Sequence, residues 1–150
     1  MDYEFTKLKE MNTWSEIDEL NVPADAQILP GMWVHLVKNL ESGNKKFHLR
    51  WVVWGDKQKI NLSLSDTFAL VSHISSLRIL LALTTLKNLW IFVWVVGSTY
   101  LHGMINHKLY VRFPDGYSKL DKVGKLKKAL YGLPEAAWVW HQDFKVKLSL

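Results

Sequence analysis

A chain of 150 residues with 49% hydrophobic and 22% charged residues has a globular rather than a disordered composition, enough for one domain burying roughly 70% of its unfolded surface. The absence of cysteine rules out a disulfide framework and thiolate metal sites, and fits a reducing compartment. The net charge of +5 is uneven: residues 1–25 hold seven acidic and two basic side chains, net −5, which leaves +10 on the remainder and points to a polyanionic partner.

The start Met1-Asp2-Tyr3-Glu4 is acidic with no apolar run behind it, so no secretory signal is read and an intracellular location, cytoplasm or nucleus, is expected. Residues 2–11 place Phe5, Leu8 and Met11 on one helical face, and Asn12-Thr13 ends that helix. Trp14 to Leu20 is compatible with continued helix or with extended chain. Val22-Pro23-Ala24-Asp25 is a connection in either case. Met32–Leu40 and Lys46–Trp54 predict a hairpin that turns at Glu41-Ser42-Gly43-Asn44. In its second strand, alternation sets Phe47, Leu49, Trp51 and Val53 on one face and His48, Arg50, Val52 and Trp54 on the other. Ser72 is a candidate N-cap for a helix with Ile74, Leu77, Leu80, Leu81 and Leu83 or Leu86 on a broad apolar face, closed by Asn88.

Leu89 to Val96 is an unbroken run of eight apolar, β-branched or aromatic residues between Asn88 and Gly97-Ser98. Such a run reads as a strand buried on both faces, in mid-sheet, around which the chain is organised. Leu77–Leu101 is also the most apolar window, but Arg78 and Lys87 interrupt it, and the charge-free run Asn88–Leu101 falls short of the roughly 20 residues a bilayer span needs. No membrane partner is therefore expected. A membrane-associated or interaction protein using residues 77–101 stands as a further alternative. A strand over Leu109–Phe113 and the turn Pro114-Asp115-Gly116 follow. Next comes a basic segment, Ser118–Lys128, with Lys119, Lys122, Lys125, Lys127 and Lys128. Pro134 can open a last helix with Ala137, Trp140, Phe144 and Leu148 on one face.

Three stretches resemble the copia-type retrotransposon reverse transcriptases, in that family's order. The first is Arg50-Trp51-Val52-Val53-Trp54-Gly55-Asp56-Lys57-Gln58, where Trp54 replaces a basic residue and the preceding His48 replaces a lysine; Asp66-Thr67-Phe68-Ala69-Leu70-Val71 continues it, with Leu70 for a proline, and Arg78 matches an arginine. The second is Tyr100-Leu101-His102-Gly103 with Lys108–Phe113 and Pro114-Asp115-Gly116. The third is Lys128-Ala129-Leu130-Tyr131-Gly132-Leu133-Pro134-Glu135-Ala136, with Trp138 for an arginine. The likeness runs from about residue 10 to 148. It implies a single truncated domain over 1–150, of α+β class: a mostly antiparallel sheet with packed helices, corresponding to fingers and part of the palm.

The resemblance also implies chemistry that the residues do not supply. In the family, aspartates hold the divalent metals, Mg²⁺, of RNA-directed DNA polymerisation. One belongs at the place of Val95, and two adjacent ones belong to a later hairpin; no Asp-Asp pair occurs in this chain. An isopropyl group cannot ligate Mg²⁺. The expectation is a degenerate, inactive polymerase remnant with no catalytic residue, no metal ligand and no cofactor. The alternative is a non-catalytic module that binds RNA or DNA weakly through its basic surface. Arg50 and Glu135 are the candidate nucleotide-binding remnants, against the plainer readings of an arginine stem lying on Trp54 or Trp90 and a first-turn helix glutamate. Lys119, Lys122, Lys125, Lys127 and Lys128 are candidates for tracking a phosphate backbone, with Tyr117 and Tyr131 as flanking stackers, against a solvated basic loop. The spacing of His102, His107 and His141 suits no metal, and the histidines are read as structural or surface residues.

Overall fold

Trp51, with none of its surface exposed, gathers the aromatic residues of four separate segments. Phe5 lies 5.3 Å from it, Trp14 5.6 Å and Phe113 6.2 Å between ring centroids. Trp33 and Tyr117 close the group through Phe5, at 5.2 and 3.8 Å. Burying a tryptophan removes about 150–250 Å² from water, on the order of 4–6 kcal/mol at 25 cal/mol per Å². Gly31 permits it: a Cβ there would stand 2.5 Å from the indole Cζ2.

The structure is a computed structural model that describes residues 2–39, 42–59, 62–67, 69, 72–117 and 121–149. In chain order these form α1 (Asp2–Glu10), β1 (Trp14–Asp18), β2 (Ile28–Asn39), β3 (Lys45–Val53), α2 (Leu64–Thr67), α3 (Ile74–Leu86), β4 (Tyr110–Arg112), β5 (Lys122–Leu126) and α4 (Ala136–Leu148), with short 3-10 turns at Glu19–Asn21, Gly55–Lys57 and Thr99–His102. The class is α+β. The sheet is mixed, in the order β1-β5-β4-β2-β3: β1 with β5, β5 with β4 and β2 with β3 run antiparallel, whereas β2 and β4 run parallel, Ile28 opposite Tyr110.

The first helix forms with the expected face inward, Phe5 and Leu8 buried and Met11 packed against the core just beyond its end. Trp14–Asp18 resolves as extended chain, since β5 offers it a full set of backbone partners from Leu126 to Lys122. The hairpin is present, Gly31–Asn39 of β2 pairing with Lys45–Val53; Leu40 and Glu41 of its expected strand end and turn lie outside the described residues, and Gly43 takes φ +79. Trp51 and Val53 are buried on the expected face, but burial fades along it and Phe47 is exposed, because the distal hairpin runs beyond the elements that cover its base.

Four expectations are corrected. Leu89–Val96 is not a strand: the segment is irregular and exposed, with Trp94 at 87% and Val95 at 91%. The sheet runs from β1 to β3 at its edges without it, and an apolar run that pairs with no strand among the described residues cannot become mid-sheet. The helix before it starts at Ile74 after an extended His73, not after a Ser72 cap, and it turns its leucines to solvent, Thr84 being its buried residue. The lysine-rich stretch is no loop where described, since Lys122–Leu126 is β5, flanked by β1 and β4. Helix α4 begins two residues after Pro134 and buries Ala136, with Val139 against the core, rather than the face of Ala137 and Trp140; Trp140 stacks instead on Phe144 at 5.2 Å. Phe68, Leu70 and Val71 of the expected Thr-Phe-Ala motif lie outside the described residues. No helix among the described residues is long and apolar enough to cross a membrane, and the window 77–101 is broken at Asn88, which adopts φ +51.

Replacing Trp51 by Ala should lower stability by about 3–5 kcal/mol, whereas Trp94→Ala should change it by no more than about 0.5 kcal/mol. Urea titrations of both variants would show the contrast, which disappears, with Trp94→Ala also costing several kcal/mol, about 3–5, if Leu89–Val96 is a buried strand.

Candidate nucleic-acid interface

Two of the resembling stretches meet through a close approach of their backbones. Val53 N–H donates to Tyr131 O at 2.8 Å. Gly132 holds φ +93, and a Cβ on it would lie 2.0 Å from Val53 O, while one on Gly55 would lie 2.1 Å from Gly132 O. Only glycine fits at either place, and at Gly132 only glycine also takes the backbone angle without strain. Through this contact the end of β3 and the turn before α4 share one surface.

On one side of the contact, the Arg50 guanidinium lies 5.1 Å from the Tyr131 ring centre, within cation–π range. The expected stacking of its stem on Trp54 or Trp90 is thereby replaced: Lys57 covers Trp54 at 3.9 Å, and Trp90 is exposed. Around Arg50 opens a cleft of about 830 Å³ whose polar lining includes Lys7, Lys46, His48, Tyr3 and Glu4. Burial raises the Glu4 carboxyl above its ordinary pKa, against the opposing pull of Lys7 and Arg50. His48 is lowered, by desolvation first and then by the charges of Lys38, Lys46 and Arg50. The cleft is a cationic surface with two tyrosines in it, able to hold phosphate oxygens and a flat base.

On the other side lies Glu135, 3% exposed. Gln58 Nε2 donates to its Oε1 at 3.1 Å. His107 Nε2 stands 3.2 Å from the same oxygen, near enough to form an ion pair when the ring is protonated but out of line for a hydrogen bond. Glu135 immediately precedes α4 without capping it through its side chain. The structure therefore separates the two expected remnants: Arg50 lines the cationic cleft, and Glu135 lines a different cavity.

The lysines of the basic stretch divide further. Lys119 lies outside the described residues. Lys122 and Lys125 are half-buried on β5, opposite Asp18 and Ser15 of β1. Lys127 Nζ donates to Asn12 Oδ1 at 3.2 Å and Lys128 Nζ to Met11 O at 2.6 Å, so both tie down the carbonyl end of α1, where a cation is favoured. Of the tyrosines, Tyr131 reaches the cleft and Tyr117 packs in the aromatic core. Lys46 could have been found from sequence, since it shares the alternating face of His48 and Arg50. Lys7 and Gln58 could not, because each is brought in by tertiary contact.

The family aligned with these stretches is described as reverse transcriptase, RNA-dependent DNA polymerase, and it matches residues 11–149. The chain belongs to the reverse transcriptases. Within them it is of the copia type: it is 28% identical over 148 residues to the retrovirus-related Pol polyprotein from transposon TNT 1-94 of Nicotiana tabacum, covering 96% of this chain and 11% of that protein. It is 28% identical over 127 residues to the corresponding polyprotein from transposon RE1 of Arabidopsis thaliana, covering 82% and 9%, and 27% identical over 130 residues to that from transposon RE2, covering 84% and 9%. The chain thus spans about a tenth of the curated relatives it matches. No solved structure matches it.

Val95, the residue that the resemblance sets against a Mg²⁺-ligating aspartate, carries an isopropyl group, which cannot ligate a metal, on an exposed, irregular segment. Among the described residues no three His, Asp or Glu side chains are grouped to hold a metal ion.

If the cleft holds a polyanion, the added negative charge must offset the repulsion by Lys38, Lys46 and Arg50 and raise the His48 pKa. Binding then takes up a proton, and affinity should grow as pH falls through the interval between the free and bound values. NMR titration of His48 should show a value below the ordinary imidazole range that moves upward with a single-stranded oligonucleotide. Gly132→Ala should cost more than about 2 kcal/mol in urea unfolding, because the turn must adopt a strained angle and separate from Val53.

Proposed function

We propose that the chain is a catalytically silent portion of a copia-type reverse transcriptase, corresponding to its fingers and the first part of its palm. The observation that carries this reading is Val95, which stands where the family needs a carboxylate. Two-metal phosphoryl transfer depends on carboxylates to hold the ions that activate the primer hydroxyl and neutralise the phosphates. The tenfold-per-1.4-kcal/mol scale of rates leaves no measurable turnover once several kcal/mol per ion are lost. No incorporation of radiolabelled nucleotide above a protein-free blank is expected on a primed RNA template with Mg²⁺; incorporation above the blank would refute the reading.

A second reading, that the chain binds nucleic acid without catalysis, is favoured by the cleft in which Arg50, Lys7, Lys46 and Tyr131 converge. Three phosphate contacts predict a logarithmic salt slope near −2 for a single strand, at about −0.7 per contact. A filter-binding series in KCl should show that slope with wild type and a slope shallower by about 0.7 with Arg50→Ala. A flat salt dependence would leave the cleft without this role. An RNA–DNA hybrid that binds should also raise the melting temperature by mass action.

A further inference from the structure

From Trp90 to Val95 no backbone N–H or C=O has a hydrogen-bond partner among the described residues. The segment is joined to the fold at its ends, where Leu89 N–H donates to Thr84 O at 2.9 Å and Val96 O accepts from Thr99 Oγ1 at 3.1 Å. Its side chains are equally open to water, with Trp90 89% exposed, Phe92 80% and Trp94 87%. At about 150–250 Å² each, these three rings alone expose on the order of 500 Å² of apolar surface. Val93, Val95 and the exposed leucines of α3 carry the patch past the roughly 800 Å² per partner that a stable interface buries, whereas the largest patch of a typical monomer is about 300–600 Å².

The chemistry of the segment selects its partner. A helix face or a lipid surface would cover the side chains and leave the backbone groups of Trp90–Val95 buried without partners, at a cost for each. A second strand satisfies both needs. The run Trp90-Ile91-Phe92-Val93-Trp94-Val95-Val96 is β-branched and aromatic throughout, with no charge, proline or glycine, a composition that pairs readily with itself. The outermost strands of the sheet are not so disposed: β1 displays Glu16 and Asp18 and β3 displays Lys45 and Lys46, so each edge repels its own copy. A second copy of residues 90–96 brings no charge to the contact. Run antiparallel, two such segments place Val93 on a two-fold axis with Phe92 opposite Trp94 on each side of it and Trp90 opposite Val96, cross-strand pairs of the stabilising kind.

We propose that two copies of this chain associate through residues 90–96, paired as an antiparallel ribbon about Val93 and closed at two because the contact is isologous. The contact rests on neither the polymerase ancestry nor the cationic cleft. Sedimentation velocity of the 150-residue protein between about 1 and 100 µM should show a species of twice the 17.5 kDa chain mass. Val93→Lys sets two ammonium groups face to face on the axis and should return the protein to monomer. The monomer's melting temperature should not change, since Val93 is 85% exposed. Register is read with cysteine, a residue type this chain lacks. Oxidation should cross-link Val93→Cys across the axis, where facing Cα atoms are about 4.5–5.5 Å apart. It should cross-link Trp90→Cys at least tenfold more slowly, the two copies of that position being about 20 Å apart along the ribbon. Below the dissociation constant Trp94→Ala keeps its near-neutral effect on unfolding, because the contact stabilises only when it is populated. The proposal is overturned by a chain that stays monomeric up to about 100 µM, whether or not it then binds phosphatidylcholine vesicles. Open-ended polymer in place of dimer, a dimer that survives Val93→Lys, or equal cross-linking of the two cysteine variants would also overturn it.

Discussion

The close approach of two backbones at Gly55 and Gly132 is the constraint on which the surface chemistry of this protein depends. No side chain fits between Val53 O and the Cα of Gly132, nor between Gly132 O and the Cα of Gly55, so the end of β3 and the turn ahead of α4 behave as one unit. That unit places Arg50 over Tyr131 and joins Gln58 to Glu135, residues 77 apart in sequence. Glycine at both places is a steric requirement of the contact, and the two halves of the site lie on opposite sides of it.

Beneath that unit, aromatic packing and internal ion pairs hold the elements together. Trp51 fits against β2 only because Gly31 leaves room for it, and it draws in α1 through Phe5, β1 through Trp14 and the segment after β4 through Phe113. The carbonyl end of α1 is tied by Lys127 and Lys128, and Glu19 receives two hydrogen bonds from Arg112 at 3.0 and 2.6 Å. Charge that looked available to a polyanion is partly engaged within the fold. On β3, Lys46, His48 and Arg50 alternate on one face and line the cleft.

The apolar surface of α3 and of Leu89–Val96 has the opposite character. Leucines and tryptophans that composition assigns to a core are exposed over two successive segments. Contiguous apolar surface of this kind marks association or aggregation rather than a solvated exterior. Val95 lies in the middle of it.

By itself the sequence determined the local elements and the family. Phe5, Leu8 and Met11 announced α1, the Ser-Gly-Asn turn with alternating strands announced the hairpin, and Tyr-Gly-Leu and Tyr-Leu-His-Gly announced a copia-type reverse transcriptase. That position 95 carries a valine and no carboxylate was equally legible, because it is a matter of residue type. Tertiary structure alone decided which apolar runs are buried. Hydrophobicity specifies that Leu89–Val96 would favour a partner, but a strand exists only where another strand supplies its hydrogen bonds, and a helix face is buried only where another surface covers it. Tertiary structure likewise decided that Arg50 and Glu135 belong to different cavities and that Lys127 and Lys128 serve α1. Such contacts join residues scores of positions apart, and periodicity, which records only near neighbours along the chain, carries no trace of them.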